Sequence, residues 1–300
     1  MVSLIATPPL IYHQRNIVPR TPRHRDLVAT RRERWCKPAP YRKRVKLTME
    51  TVNYNVENHV ASIQMNRPER HNALDFQLLD DLDAAFTLAE EDDDVYVIVL
   101  SGAGRSFCSG YDRGGSYYIT PPEGGWTARS ALLRLRGIED RYMRIWNCPK
   151  VTIAQIHGHC LAGGCYIQLV CDISVAAEDA IIGHMSPETF GQGALNGVSS
   201  MPLWQVLMGP KRARYMLMTG RKVSGTEAAQ IGLISVAVPI EDLEQEVGSI
   251  CEEIMEPGGP GFLTMKETLN TDLEIMGVGA MFRAHGHMNA LARLNRPATD

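Results

Sequence analysis

The stretch that decides the fold is Ile156-His-Gly-His-Cys-Leu-Ala-Gly-Gly-Cys-Tyr-Ile-Gln-Leu-Val-Cys-Asp172. It reads as a buried strand that turns sharply at glycines and runs straight into a helix. Gly163 and Gly164 stand where that helix begins. The first N–H groups of a helix have no intrahelical acceptor, and the dipole there favours negative charge. The turn is therefore a candidate for holding an anion or a developing oxyanion. Residues 151–171 contain no Asp, Glu, Lys or Arg and are long enough to suggest a membrane span. Gln155, His157, His159, Gln168 and three glycines, behind a β-branched start, favour a buried strand–turn–helix instead. No membrane span is expected.

Working outward, the second informative stretch is Ser101-Gly-Ala-Gly-Arg-Ser-Phe-Cys-Ser-Gly-Tyr-Asp112, which follows an apolar strand at residues 95–100. A glycine-rich loop after a strand suggests a phosphate cradle. Gly102-Ala-Gly104 lacks the last glycine of Gly-x-Gly-x-x-Gly, however, and no Gly-Lys-Ser/Thr is present. Before it, Val60, Ser62 and Gln64 alternate against Ala61, Ile63 and Met65 in a strand that Pro68 stops. Leu78, Leu79, Leu82, Ala85, Phe86 and Ala89 then form a helical stripe that Asp75 can cap. Residues 113–128 read as a loop carrying Tyr117, Tyr118 and Trp126, either a cover over a substrate or packed surface. A helix is expected over 129–147, strands over 151–156, 173–176 and 180–183, and a helix around 203–219. Helix then strand follow over 227–238, and two helical stretches, near 240–255 and 261–294, close the chain.

Seven cysteines, at 36, 108, 148, 160, 165, 171 and 251, are odd in number and form no Cys-x-x-Cys. That pattern points to reduced thiols in a cytoplasmic compartment. The net charge of −3 hides an asymmetry: residues 1–48 hold twelve Lys/Arg against Asp26 and Glu33, leaving the rest acidic. An acidic body argues against a general nucleic-acid role. The basic segment reads as a disordered tail or as residues ahead of a true start at Met49, the core being expected over 49–240 and a C-terminal helical region over 241–300. His157 and His159 with Cys160 and Cys165 have no standard zinc spacing, so no metal is expected. Asp112 and Asp172 read as braces of turns.

Taken together, several motifs resemble the crotonase (enoyl-CoA hydratase/isomerase) superfamily over residues 49–290. They are Met65-Asn-Arg-Pro-Glu-Arg-His-Asn-Ala-Leu74, Arg105-Ser-Phe-Cys-Ser-Gly-Tyr-Asp112 and His157-Gly-His-Cys-Leu-Ala-Gly-Gly-Cys165 with Cys171-Asp-Ile173. Ala213-Arg-Tyr-Met-Leu-Met-Thr-Gly220, Ala228-Ala-Gln-Ile-Gly-Leu233 and Met265-Lys-Glu-Thr268 complete the set. The resemblance implies an α/β spiral of ββα repeats, with C-terminal helices that assemble a homotrimer or homohexamer. It also implies an acyl-CoA thioester substrate, with coenzyme A part of the substrate and no separate cofactor. By position, the backbone N–H groups of Tyr111 and Gly163 would stabilise an enolate. Arg70, Ala73, Arg105 and Ser109 would line the coenzyme groove, with Lys266 reaching across a subunit boundary.

One departure matters. Hydratases of this family use two glutamates, and Tyr166 stands at the first position, three residues after the oxyanion glycine. A phenol with an ordinary pKa near ~10 is a poor base but a good donor. Glu188 in His184-Met-Ser-Pro-Glu188 is the candidate for the second, with Ser186 or His184 as alternatives. Hydration is the family default. Isomerisation, or enolate-forming C–C cleavage, decarboxylation or hydrolysis, fits a single base better. The reading from another class is a non-catalytic oligomer of the same fold that binds acyl-CoA or RNA.

Overall fold

A computed structural model describes residues 49–112, 125–184, 203–256 and 261–294. The basic segment 1–48, Tyr117 and Tyr118, and both Ser186 and Glu188 lie outside the described residues. Strand β1 (Val52–Glu57) and strand β2 (Val60–Met65) form an antiparallel hairpin, its turn held by Asn58 and His59 at positive φ. The alternation expected for β2 is realised: Ala61, Ile63 and Met65 are fully buried. Helix α1 (Phe76–Glu91) starts at Asp75, whose Oδ1 accepts the Leu78 N–H at 2.8 Å. Such a cap contributes about 1 kcal/mol. The apolar stripe of α1 is buried as its spacing predicts. Asp81 joins that buried face because it accepts from the N–H groups of Glu50 and Thr51 and from the Thr51 hydroxyl, tying α1 to the start of β1.

Strand β3 (Val97–Gly102), helix α2 (Ala128–Trp146), strand β4 (Val151–Ile156), strand β5 (His159–Leu161) and helix α3 (Gly163–Val170) follow. Next come strand β6 (Ile173–Ala177), strand β7 (Ile181–Gly183), helix α4 (Leu203–Thr219), strand β8 (Lys222–Ser224), helix α5 (Gly225–Gln230) and strand β9 (Val236–Val238). Helices α6 (Leu243–Met255), α7 (Phe262–Ile275) and α8 (Val278–Leu294) close the chain. The single helical stretch expected over 261–294 is two helices, because Gly277 at φ 91 cannot continue a right-handed turn.

The larger sheet runs β1-β2-β3-β4-β6-β9 and is parallel beyond the hairpin; the smaller runs β5-β7-β8. Successive turns of the chain give one strand to the large sheet, one to the small sheet, then a helix: β4, β5, α3, and again β6, β7, α4. This is the ββα spiral. Cys108 makes an isolated parallel bridge to Cys160, so the segment after β3 lies as an incipient fourth strand beside β5. The core between the layers packs around Ile63, Leu78, Phe86, Ile98, Leu100, Phe107 and Ile153. Each fully buried aliphatic side chain contributes roughly 1.5–3 kcal/mol. Helix α8 packs back on α2 through Phe282, whose ring centroid lies 6.3 Å from that of Trp146.

Candidate active site

Two loops at the carboxyl ends of β3 and β4 meet at one point. The first, residues 103–112, is held from beneath by Asn72, which is fully buried. Its Nδ2 donates to the carbonyls of Ala103 (2.9 Å) and Ser106 (2.7 Å), and its Oδ1 accepts the Arg67 N–H (2.8 Å). On one edge, Leu74 pairs with this loop: its N–H donates to the Gly110 carbonyl (2.7 Å) and its carbonyl accepts from the Asp112 N–H (2.8 Å). Extended backbone alternates its bonding edges residue by residue, so this pairing turns the Tyr111 N–H away from Leu74. On the other edge the two loops zip together. Phe107 N–H donates to the His157 carbonyl (2.8 Å), Cys108 N–H to that of His159 (2.9 Å), and Leu161 N–H to that of Cys108 (2.9 Å).

The second loop ends at Ala162, whose φ of 47° and ψ of −114° are rare for a residue with a Cβ. That costs on the order of 1–3 kcal/mol and aims the first turn of α3. Gly163 begins α3 and is wholly buried, as is every residue through Val170. Its N–H sits at the first helical position, where no intrahelical acceptor exists. A Cβ on Gly110 would stand 3.4 Å from the Gly163 nitrogen, and one on Gly163 would stand 3.0 Å from Cζ of Tyr111. The peptides of Tyr111 and Gly163, 52 residues apart in the chain, are thus neighbours. A Cβ on Gly164 would lie 2.4 Å from the Cys108 carbonyl oxygen, so only glycine permits this approach.

Among the described residues, the polar side chains packed around this junction include phenols, an imidazole and a thiol. The Tyr111 and Tyr142 hydroxyls are 2.6 Å apart, and the Tyr166 hydroxyl lies 3.0 Å from Nδ1 of His184. Tyr142 also meets Tyr166 edge to face at 6.0 Å between centroids. Burial lowers the His184 imidazole to about 4, which leaves it uncharged at neutral pH. Burial likewise pushes the Cys108 thiol up to about 12, so it is no nucleophile.

Among the described residues, the charged side chains nearest the junction are Arg67, Arg70, Asp75 and Asp112. Arg67 pairs with Asp75 (3.0 Å) and Asp112 (3.1 Å) and also donates to the Ala73 carbonyl. Arg70 reaches the other oxygen of Asp112 at 2.9 Å. Asp112 therefore braces the loop just past Tyr111. Asp172 does the same below α3, accepting from the Thr152 N–H and hydroxyl at 2.8 Å each.

Of the coenzyme-groove residues expected from sequence, Arg70, Ala73 and Ser109 come together, Ser109 N–H donating to the His71 carbonyl at 3.0 Å. Arg105 is exposed on the same loop. Lys266 is not with them. Its ammonium is almost buried and donates to Asp172 (2.7 Å) and to the Lys150 carbonyl (3.1 Å), at the opposite end of β4. His157 and His159 turn to separate partners, the Gly104 carbonyl and the Ser106 hydroxyl, because Gly158 at φ 55 interrupts strand alternation between them. Among the described residues no group of three or more His, Cys, Asp or Glu could hold a metal ion. Glu188 lies outside the described residues, whereas His184, its alternative, stands against Tyr166.

Sequence reading passed over Tyr142 and Arg67. Tyr142 shares the core stripe of α2 with Ala131, Ile138 and Ile145, a spacing that marks burial and says nothing of a partner 31 residues away. Arg67 sits in a polar turn beside Pro68, where local pattern gives no sign of its pairing with Asp112.

The comparisons with known proteins agree with this geometry. A model of the enoyl-CoA hydratase/isomerase family matches residues 55–289. The structure is similar to that of an enoyl-CoA hydratase/isomerase from Xanthobacter autotrophicus, with 32% identity, 84% of this chain and 90% of that one covered, and a TM-score of 0.75. It is similar also to an enoyl-CoA hydratase from Mycobacterium smegmatis, with 30% identity, 82% and 85% coverage, and a TM-score of 0.72. A probable enoyl-CoA hydratase from Mycobacterium thermoresistibile matches at 31% identity, 81% and 95% coverage, and a TM-score of 0.72. The chain belongs to the enoyl-CoA hydratase/isomerase, or crotonase, family.

Proposed function

We propose that this chain processes an acyl-CoA thioester, the N–H groups of Tyr111 and Gly163 donating to the thioester oxygen as an enolate forms. The observation that carries the reading is the zipped pair of loops, which sets these two peptides side by side at the start of a buried helix. Preorganised donors of this kind contribute about 3–4 kcal/mol each to transition-state stabilisation. One turn into α3, Tyr166 presents a phenol beside a neutral imidazole where a hydratase has its first glutamate. Glu188 remains the leading acid/base, with Tyr166 a donor to water or substrate. One carboxylate suits isomerisation, C–C cleavage, decarboxylation or hydrolysis better than two-glutamate hydration, the family default.

Arg70, Ala73, Arg105 and Ser109 line the coenzyme groove in this proposal, and no cofactor is needed beyond the coenzyme A of the substrate. Exposed Leu263, Met265, Leu269, Ile275 and Met276 on and after α7 support a homotrimer or homohexamer. Six cysteines among the described residues are buried and unpaired, which suits a cytoplasmic, reducing setting. No helix among the described residues is long and apolar enough to cross a membrane.

The test is a panel of enoyl-CoA and 3-oxoacyl-CoA thioesters offered to the purified protein. Turnover of at least one is expected, lost at least ~100-fold in Glu188→Gln while coenzyme A affinity by calorimetry is kept. Neither turnover nor binding across the panel overturns the reading. Binding without turnover moves the protein to the non-catalytic class.

A further inference from the structure

Tyr142 is the odd member of its stripe. The other buried positions on α2 are Ala131, Ile138 and Ile145, and an aliphatic side chain would fill the place as well. A buried phenol is retained at no cost only if its hydroxyl finds a partner. Here the partner is the Tyr111 hydroxyl, at 2.6 Å. Tyr111 is fixed at its other end too. Its backbone flanks pair with Leu74, and its ring lies where a Cβ on Gly163 would touch it. The same Tyr142 ring meets Tyr166 edge to face. One side chain from a helix that contributes no backbone to the oxyanion turn thus contacts both aromatic residues placed at the reacting end.

Resting on the reading of the site given above, we infer that Tyr142 is the positioning residue of the oxyanion hole. By holding the Tyr111 phenol against Gly163, it keeps the Tyr111 peptide, and therefore its N–H, aimed at the thioester oxygen. Its effect falls on transition-state geometry and not on substrate affinity. The N–H of Tyr111 is attached to the same Cα as the restrained side chain, so freedom at the phenol becomes freedom at the donor. A misaimed donor loses transition-state stabilisation while apolar walls continue to bind the acyl chain.

The experiment uses Tyr142→Phe, which keeps the ring against Tyr166 and deletes only the hydroxyl, with Tyr111→Phe as the second variant that removes the same bond from its other end. Both are assayed on the thioester the wild type turns over, and the carbonyl stretch of that bound thioester is read by isotope-edited infrared spectroscopy. The expected result is a fall in kcat of about tenfold in each variant, equivalent to about 1.4 kcal/mol. KM should stay within about twofold, and the two losses should be less than additive in the double variant, since the singles share the Tyr111–Tyr142 bond. The wild-type carbonyl should be shifted to lower frequency and the shift diminished in both variants. A full carbonyl shift and unchanged kcat in Tyr142→Phe overturn the positioning role and leave the oxyanion reading intact. An unshifted carbonyl in wild type overturns the oxyanion reading and this inference with it. If Tyr142→Phe fails to fold, Tyr111→Phe decides between the same outcomes.

Discussion

The two loops that meet at Tyr111 and Gly163 are built from opposite materials. Residues 103–112 are fastened by charge: Arg67 and Arg70 both grip Asp112, and Arg67 also holds Asp75, across side chains that range from nearly buried to half exposed. Residues 159–170 are fastened by burial. Every residue of α3 is buried, and the described side chains it meets include phenols, thiols, the Ser174 hydroxyl and a neutral imidazole. The difference divides the labour of the site. The charged half faces the groove where an anionic coenzyme is proposed to lie, and the neutral half surrounds the place where charge would appear only during reaction. A largely apolar surround makes a few fixed N–H dipoles more effective than they are in water.

The comparison breaks most severely at the junction itself. Gly164→Ala places a Cβ 2.4 Å from the Cys108 carbonyl oxygen, a contact with backbone that no rotamer relieves. Separating the loops is expected to cost more than about 3 kcal/mol of stability and at least ~100-fold in kcat/KM, read by thermal unfolding and by assay. Gly248→Ala supplies the contrast: nothing lies within 4 Å of a Cβ there, inside α6. It should gain about 0.5–1 kcal/mol. A Gly164→Ala protein as stable and active as wild type would show that the loops are not in register.

The charged half is tested next. Arg67→Met leaves the almost buried Asp112 carboxylate short of its inner partner and should cost about 3 kcal/mol in denaturant unfolding. A loss under about 0.5 kcal/mol would mean that Asn72, the Leu74 ladder and the pairing with the second loop hold residues 103–112 without this ion pair.

The neutral half answers to acid instead. The folded His184 pKa, about 4, lies below the ordinary 6.5, so between these values the unfolded chain binds more protons than the folded one. Stability therefore rises with pH across that window and, from His184, falls by about 2–3 kcal/mol on acidification from pH 7 to pH 4. His184→Gln should flatten this limb of the stability–pH curve. An identical curve in the variant would place the titration elsewhere.

What was legible in the sequence is what local periodicity dictates. The stripe of α1, its Asp75 cap, the alternation of β2 and the bounds of β4 follow from neighbours a few residues apart, and the structure has them where spacing puts them. The pairing of Gly163 with Tyr111 was legible only through motif resemblance, since no local pattern joins residues so far apart. Two things stayed hidden for the same reason. Tyr142 looked like any core position because a hydrophobic stripe does not name its contacts. His184 stood in a Gly/Pro-rich stretch whose sequence gave no sign of its 3.0 Å approach to Tyr166, 18 residues upstream. The break at Gly277 was missed because the apolar pattern runs on through it, while the left-handed φ that ends α7 leaves no mark on periodicity.

The bridge between Cys108 and Cys160 has a consequence in time. The two proposed donor peptides are aligned by bonds between segments some 50 residues apart, across a parallel pairing that requires a long loop to close first. The proposed oxyanion hole needs this pairing, so turnover of an acyl-CoA thioester during refolding is expected no earlier than the closure of β3 and its loop on β5.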